Sequence, residues 1–551
     1  MWRYRTTRLM SIVVLIGAIA SATFAQTTRP RPSTREFLAA KAKADAELAA
    51  MDKRSDEAWA KALPEVKAWE AKGKPYIPWA AKPSDLPQAK VPAFPGAWGG
   101  GMYSFGGRGG KLFVVTSLED AGPGTLREAC EAGGPRIVVF NVAGFIRLKD
   151  RIRIRAPYIT IVGNTAPGDG VCIGNEAIEI ETHDVIMRHL RVRRGIVDPT
   201  RRNDSIGGHS VGNIILDHIS ASWGSDEVIS LYRHVYHAPD GQALKLPTVN
   251  ITIQYSTFAE AVNGAQYGLG ATIGGHNSTF HHNLFVCNNS RNPSIGMDGD
   301  FNFVNNVIYN WMGRSIDGGD EKSFYQIINN YFKPGPATPA DQPISYRVLK
   351  PEARRAKERN EDFGKAYVNG NVVEGNERVT KDNWDGGVQL GDGFDEKKLL
   401  PIIRVNEPFK MAPLPIETAQ AAFETVMNEV GATLPRRDGH DQRYVQMARG
   451  GTVTRPDLKG LIRSIEDVGG FSEYESYTGK PHADADRDGM PDEWESKYGL
   501  NPNDASDASA DVNRDGYTAI ETFIYGIDPL KRVDWSNLEN NKDALRDRYA
   551  K

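Results

Sequence analysis

Seven short apolar runs, most of them β-branched, recur down the middle of the chain, beginning at Ile159, Val185, Ile214, Ile251, Thr279, Phe301 and Tyr325. Successive starts differ, by subtraction of those positions, by 26, 29, 37, 28, 22 and 24 residues. A period in the twenties, with Gly, Asn and Asp between the runs, describes coils that cannot bury an apolar face alone and must stack. Asn283, Asn306 and Asn330 follow matching runs at intervals of 23 and 24 residues. Asn tolerates left-handed backbone and bonds neighbouring backbone at turns, so stacked coils would align these three as an internal ladder. The expectation is an all-β parallel solenoid over residues 91–380, with an Asn-rich sandwich as the alternative.

The flanks read differently. Arg3, Arg5 and Arg8 precede the apolar run Ser11 to Ala20 and small residues ending at Ala25, the three-part plan of a secretory leader over residues 1–25. The run is about half of the ~20 apolar residues that a membrane span needs. The protein is therefore expected outside the cytoplasm, in the periplasm, at the cell surface or in the medium. Residues 26–90 combine Ala, Lys and Glu with Leu38, Leu48, Met51, Trp59 and Trp69, a helical segment followed by a Pro-studded linker from Pro75. Residues 381–480 read as a wrapping segment with an amphipathic helix over Thr418–Val430, followed by the polar stretch Pro435–Arg443, and residues 481–551 as a region of their own. With 67 Lys and Arg against 70 Asp and Glu, no global field draws the chain onto nucleic acid. No later segment is apolar enough to span a bilayer, and a monomer is expected. Cys130, Cys172 and Cys287 are odd in number and far apart, which gives neither a disulfide framework nor a zinc spacing.

In the last region, Asp484, Asp486, Asp488, Asp492 and Glu495 stand at positions 1, 3, 5, 9 and 12 of a loop with Gly489 at position 6. That is a calcium-loop spacing: alternate oxygens converge on a hard cation, Gly makes the sharp turn, and the carbonyl of Met490 joins the shell. A second loop offers Asp511, Asn513, Asp515 and the carbonyl of Tyr517, with Glu521 at position 11 to close it. Both loops are similar to dockerin-like and thrombospondin type 3-like loops, and Ca2+ is the expected ion. Solvated acidic loops are the alternative.

Within the solenoid, Ala93-Phe-Pro-Gly-Ala-Trp-Gly-Gly, Gly106-Gly-Arg-Gly-Gly and Leu118-Glu-Asp-Ala-Gly-Pro-Gly-Thr-Leu-Arg resemble the first coils of secreted bacterial pectate lyases. Ile215-Leu-Asp-His218 resembles the Trp-Ile-Asp-His signature of polysaccharide lyase family 1, and Ser290-Arg291-Asn-Pro293 with Val304-Asn-Asn306 matches its arginine-x-proline and Asn-Asn pattern. The resemblance covers roughly residues 91–375. It implies a right-handed parallel β-helix that cleaves α-1,4-linked galacturonan, an acidic plant-type polysaccharide, by calcium-assisted β-elimination.

Carried over by position, Arg291 matches the family's proton abstractor, Asp204 and Asp226 match two calcium-binding carboxylates, and Ser230 stands where the third would be. Glu227 adjoins Asp226 and is expected to point away if the segment is a strand, because neighbours face opposite sides. Leu269 takes the place of a substrate-binding lysine and Gly296 that of a second arginine, for which Arg314, one coil on, is the candidate substitute. Asp217 and His218 are expected to be structural. A glycoside hydrolase using Asp204, Asp226 and Glu227, which needs paired carboxylates about a scissile bond, is a rival reading. A non-catalytic glycan-binding solenoid is another.

Overall fold

A computed structural model describes residues 34–195, 202–262, 268–353 and 361–549 of the chain; the leader expected over residues 1–25 lies outside them. The chain divides into two compact units, Met1–Glu47 and Leu48–Lys551. The described residues of the first are helical, the opening turns of Thr34–Glu70.

The second unit is built on a parallel β-helix of three sheets with ten, nine and eight strands. From Arg136 to Pro351 every coil delivers one strand to each sheet in turn, as Gly212–Asp217, Ser220–Ser222 and Glu227–Leu231 do. All seven runs that set the sequence period lie in the ten-stranded sheet. Its register aligns Ile159, Val185, Ile214, Ile251, Ser278, Phe301 and Tyr325 across successive coils. The fifth position is Ser278, one residue before the expected Thr279. A polar side chain there, whose hydroxyl donates to the Asp300 carbonyl at 2.6 Å, conceals the true start of the run. The apolar partners of this column fill one continuous core with the inward faces of the other two sheets. The 37-residue interval holds an antiparallel hairpin, Arg233–His237 with Ala243–Pro247, inserted between two coils.

The Asn ladder runs further than the three expected rungs. The side-chain oxygens of Asn283, Asn306, Asn330, Asn371 and Asn383 accept in turn from the backbone of Ser256, Asn283, Asn306, Asn330 and Asn371, at 2.8–2.9 Å. These bonds satisfy corner amides that no sheet reaches, which a buried backbone requires. Left-handed backbone falls one residue earlier, at His189, His218, Tyr255, His282, Asn305 and Asn329. The rings in that column stack: His189 on His218 at 4.7 Å, His218 on Tyr255 at 5.1 Å, Tyr255 on His282 at 4.9 Å. Stacking offsets the steric cost that φ > 0 imposes on residues with a Cβ.

Polar outer faces of the solenoid are covered by later chain. Thr418 caps the helix Ala419–Glu429 and Val430 ends it. A second helix, Gly439–Gly450, occupies much of the stretch that reads as merely polar. It is anchored by buried Asp438 and Asp441, which receive the Arg193 guanidinium at 2.8 and 3.0 Å. The C-terminal region packs on the first coils. Tyr517 Oη donates to the Pro92 carbonyl at 2.9 Å, and the Asn541 side chain brackets Gly96 and Ala97. Met490, Ala508 and Tyr517 join Ala93, Phe94, Ile137 and Val139 in one apolar cluster.

Candidate functional site

The eight-stranded sheet carries a groove of about 860 Å³ on its outer face. Strand Glu227–Leu231 lies in its floor, between Ile206–Gly207 on one side and Leu269–Ile273 on the other. Val228 and Ile229 both enter the core, which breaks the period-two alternation of a strand. Glu227 and Ser230 consequently both line the groove, and Glu227 does not point away.

Asp204, just before Ile206–Gly207, reaches over a glycine: a Cβ on Gly207 would meet its carboxylate at 2.6 Å. Asp204 Oδ1 accepts from the Glu227 amide at 2.9 Å. Carboxylate oxygens of Asp204, Asp226 and Glu227 all lie within 4.8 Å of one another. Burial first, and the Glu227 charge second, hold the Asp204 carboxyl well above the usual carboxylate range. Three mutually repelling carboxylates at that spacing are the donor set of a hard divalent cation, so the residues fit the calcium that the fold family implies.

Arg291 stands beside them. Its guanidinium donates to Glu227 and, at 3.4 Å, to Thr272 Oγ1, while Nε has no partner among the described residues. Its backbone is left-handed, φ 58°, a conformation that is costly outside glycine. The structure thus brings together Asp204, Asp226, Ser230 and Arg291, and adds Glu227.

The two replaced positions have physical accounts. Leu269 is buried opposite Glu227 in register, and a Cβ on Gly296 would lie 2.5 Å from Tyr232 Cβ. Tyr232 thus occupies the space an arginine side chain at 296 would need. Arg314 pairs with Asp317 at 2.7 Å and is not among the groove-lining residues. Cations that do line the groove include Arg233 and Lys245, both on the inserted hairpin and neither recognised from sequence. The long 37-residue interval was the signal that something is inserted there. Asp217 and His218 belong to the ten-stranded sheet and its corner. Asp217 takes the buried Arg188 guanidinium at 2.7 Å, and His218 lies in the ring stack.

The two C-terminal loops share one bonding pattern. The amides of Asp488 and Gly489 donate to the Asp484 carboxylate at 3.2 and 3.1 Å, and that of Met490 to Asp488 at 2.8 Å. Asp515, Gly516 and Tyr517 repeat this toward Asp511 and Asp515 at 3.0–3.1 Å. Arg487 and Arg514 take the same left-handed position. Burial, then neighbouring carboxylates, push Asp488 up to about 7 and Glu495 up to about 8. Asp492 Oδ1 accepts from the Ala485 amide at 2.8 Å. Glu521 is turned to other partners: it caps its helix at Thr518 and pairs with Arg108 at 2.9 Å.

The lateral groove of this β-helix sets three carboxylates against one arginine. No family model matches the chain. It is 34% identical over 450 residues to a protein of Aspergillus terreus named "Probable pectate lyase C", covering 79% of this chain and 94% of that one. A protein of the same name from Emericella nidulans is 34% identical over 441 residues, with 79% and 93% covered. Among solved structures, the cedar pollen allergen jun a 1 superimposes with a TM-score of 0.42 at 19% identity, over 61% of this chain and 92% of that one. The chain belongs to the pectate lyase family.

Proposed function

We propose that the groove cleaves pectate, an α-1,4-linked galacturonan, by β-elimination, with Arg291 as the base. The observation that carries this is the placement of Arg291 beside Asp204, Asp226 and Glu227 in one groove. Arg291 takes the proton from C5 of a galacturonate unit, the electron pair forms the C4–C5 double bond, and the C4–O4 bond breaks. The departing O4 takes a proton from water, leaving one unsaturated end and one new reducing end. Ca2+ held by Asp204, Asp226 and Glu227 would supply Lewis-acid stabilisation of charge developing on the substrate carboxylate.

Glu227 supplies the carboxylate that Ser230 lacks. Its carboxylate accepts from Arg291, and a cation claiming the same oxygen would weaken that contact. Guanidinium is a base only when its pKa, above about 12 in water, is depressed; activity should therefore rise toward alkaline pH. Arg233 and Lys245 on the hairpin stand in for the cations missing at Leu269 and Gly296. The first 25 residues favour action outside the cytoplasm.

The test is purified protein on polygalacturonate and on methylated pectin, each with calcium and with chelator, followed by ultraviolet absorbance of the unsaturated product. No rise in any of the four would overturn the lyase reading, and reducing ends appearing without absorbance would indicate hydrolysis. Arg291→Ala should abolish turnover and leave polysaccharide binding intact.

A further inference from the structure

We infer that the C-terminal region holds a divalent cation, of the calcium class, in a site that Asp507 closes from outside the 484–495 loop, so that the ion fastens three separate elements. Two acidic triads share Asp488: Asp484, Asp486 and Asp488, and Asp488, Glu495 and Asp507. Within each, carboxylate oxygens lie within 4.8 Å of one another. Asp507 begins the single turn Asp507–Ser509, and Glu495 lies on the helix Asp492–Tyr498.

The second observation is the state of the oxygens. Glu495 is fully buried, yet neither of its carboxylate oxygens has a hydrogen-bond partner among the described residues. Asp488, 2% exposed, has Oδ2 unpartnered, and so are Asp486 Oδ2 and Asp507 Oδ1. A buried carboxylate without donors is strongly unfavourable. Here four carboxylates of the two triads, Asp486, Asp488, Glu495 and Asp507, carry bare oxygens, while others of their oxygens are used by backbone amides: Asp488 Oδ1 by Met490, Asp486 Oδ1 by Asp488, Asp507 Oδ2 by Asn501. No arginine or lysine is paired with Asp484, Asp486, Asp488, Glu495 or Asp507 among the described ion pairs. Six to eight oxygens at flexible geometry suit calcium, whereas magnesium demands a tight octahedron and keeps its water.

The consequence lies in what these elements touch. Met490 and Ala508, next to the ligands, enter the apolar cluster formed with Phe94, Ile137 and Val139 of the first coils. The ion therefore fixes the cover over the start of the solenoid, a role independent of the groove.

Asp507→Asn tests this, made in the full chain carrying Asp226→Asn to weaken the groove site. Without a cation the substitution relieves repulsion; with one it removes a ligand. In chelator the melting temperature should rise or hold, in saturating calcium it should fall, and calorimetric titration with CaCl2 should show one site weakened tenfold or more. A melting temperature lowered equally in both conditions, or an unchanged titration, would overturn the inference. Should Asp507→Asn fail to fold, Glu495→Gln is read in the same way, with the same crossover expected. Titration with MgCl2 that matches calcium in affinity would overturn the calcium assignment.

Discussion

The guanidinium of Arg291 donates to the carboxylate of Glu227, a residue whose neighbour Asp226 faces the same cluster. One side chain thus touches both the proposed base and the proposed cation site. Glu227→Gln should lower kcat/KM by about 10²–10³-fold, the loss typical of one preorganised electrostatic group, and move the calcium dependence to higher concentration. Rates equal to those of the parent at every calcium concentration would exclude Glu227 from the site.

Arg233 and Lys245 reach the groove from the hairpin, and among the described residues neither is ion-paired with any of the three carboxylates. The proposed function gives them a binding role. Arg233→Ala and Lys245→Ala should each raise KM for polygalacturonate several-fold and leave kcat nearly unchanged, the signature of uniform binding. A loss confined to kcat would place them at the reacting atoms instead.

His440 sets an acid limit on stability. Burial, then the Arg193 charge, pushes its imidazole down to about 4, and its Nδ1 lies 3.0 Å from Arg443 Nη2, which requires the neutral ring as acceptor. Burial, then His209, pushes His234 down to about 4 as well. Below about pH 6.5 the unfolded chain binds protons that the folded one refuses, so stability is full above 6.5 and declines toward pH 4. At fixed saturating calcium the melting temperature should fall between pH 7 and pH 5, and His440→Gln should flatten that fall. An unchanged slope would show that His440 does not titrate in this window.

Arg188 and Asp217 form a fully buried pair at 2.7 Å, completed by Gln254 Nε2 at 2.7 Å. Burial alone would raise the Asp217 carboxyl, but Arg188 outweighs it and holds that group well below the usual range. Its contribution is therefore present above about pH 3.9 and is lost only as acid drives the pH below that value. Arg188→Met leaves a buried unpaired charge and should cost roughly 3–5 kcal/mol in urea unfolding. A cost within error of zero would mean Asp217 is neutral in the fold.

What the sequence disclosed and what it hid divide along a physical line. The coil period, the Asn rungs, Asp204, Asp226 and Arg291, and the spacing of the acidic loops are local patterns that repeat or match a motif, and they are legible one segment at a time. The side Glu227 faces was not, because it depends on two consecutive residues, Val228 and Ile229, both entering the core. The helix Gly439–Gly450 was hidden because its buried face includes Asp441, whose partner Arg193 lies 248 residues away. Asp507 was hidden for the same reason: nothing in its own segment points to Glu495. Gly296 was seen as a missing arginine, and only the position of Tyr232 explains it.

The hairpin Arg233–Pro247 interrupts the coil period without breaking the stack, since Ile214 still pairs with Ile251 across the insertion. In a solenoid each coil answers only to its neighbours, so the length and sequence of such an excursion are free of the constraints that fix the sheets. The groove's rim can therefore be rewritten by exchanging one loop while the residues Asp204, Asp226, Glu227 and Arg291 beneath it are inherited intact. Preference for one decorated polymer over another can change in this architecture without any substitution in those four.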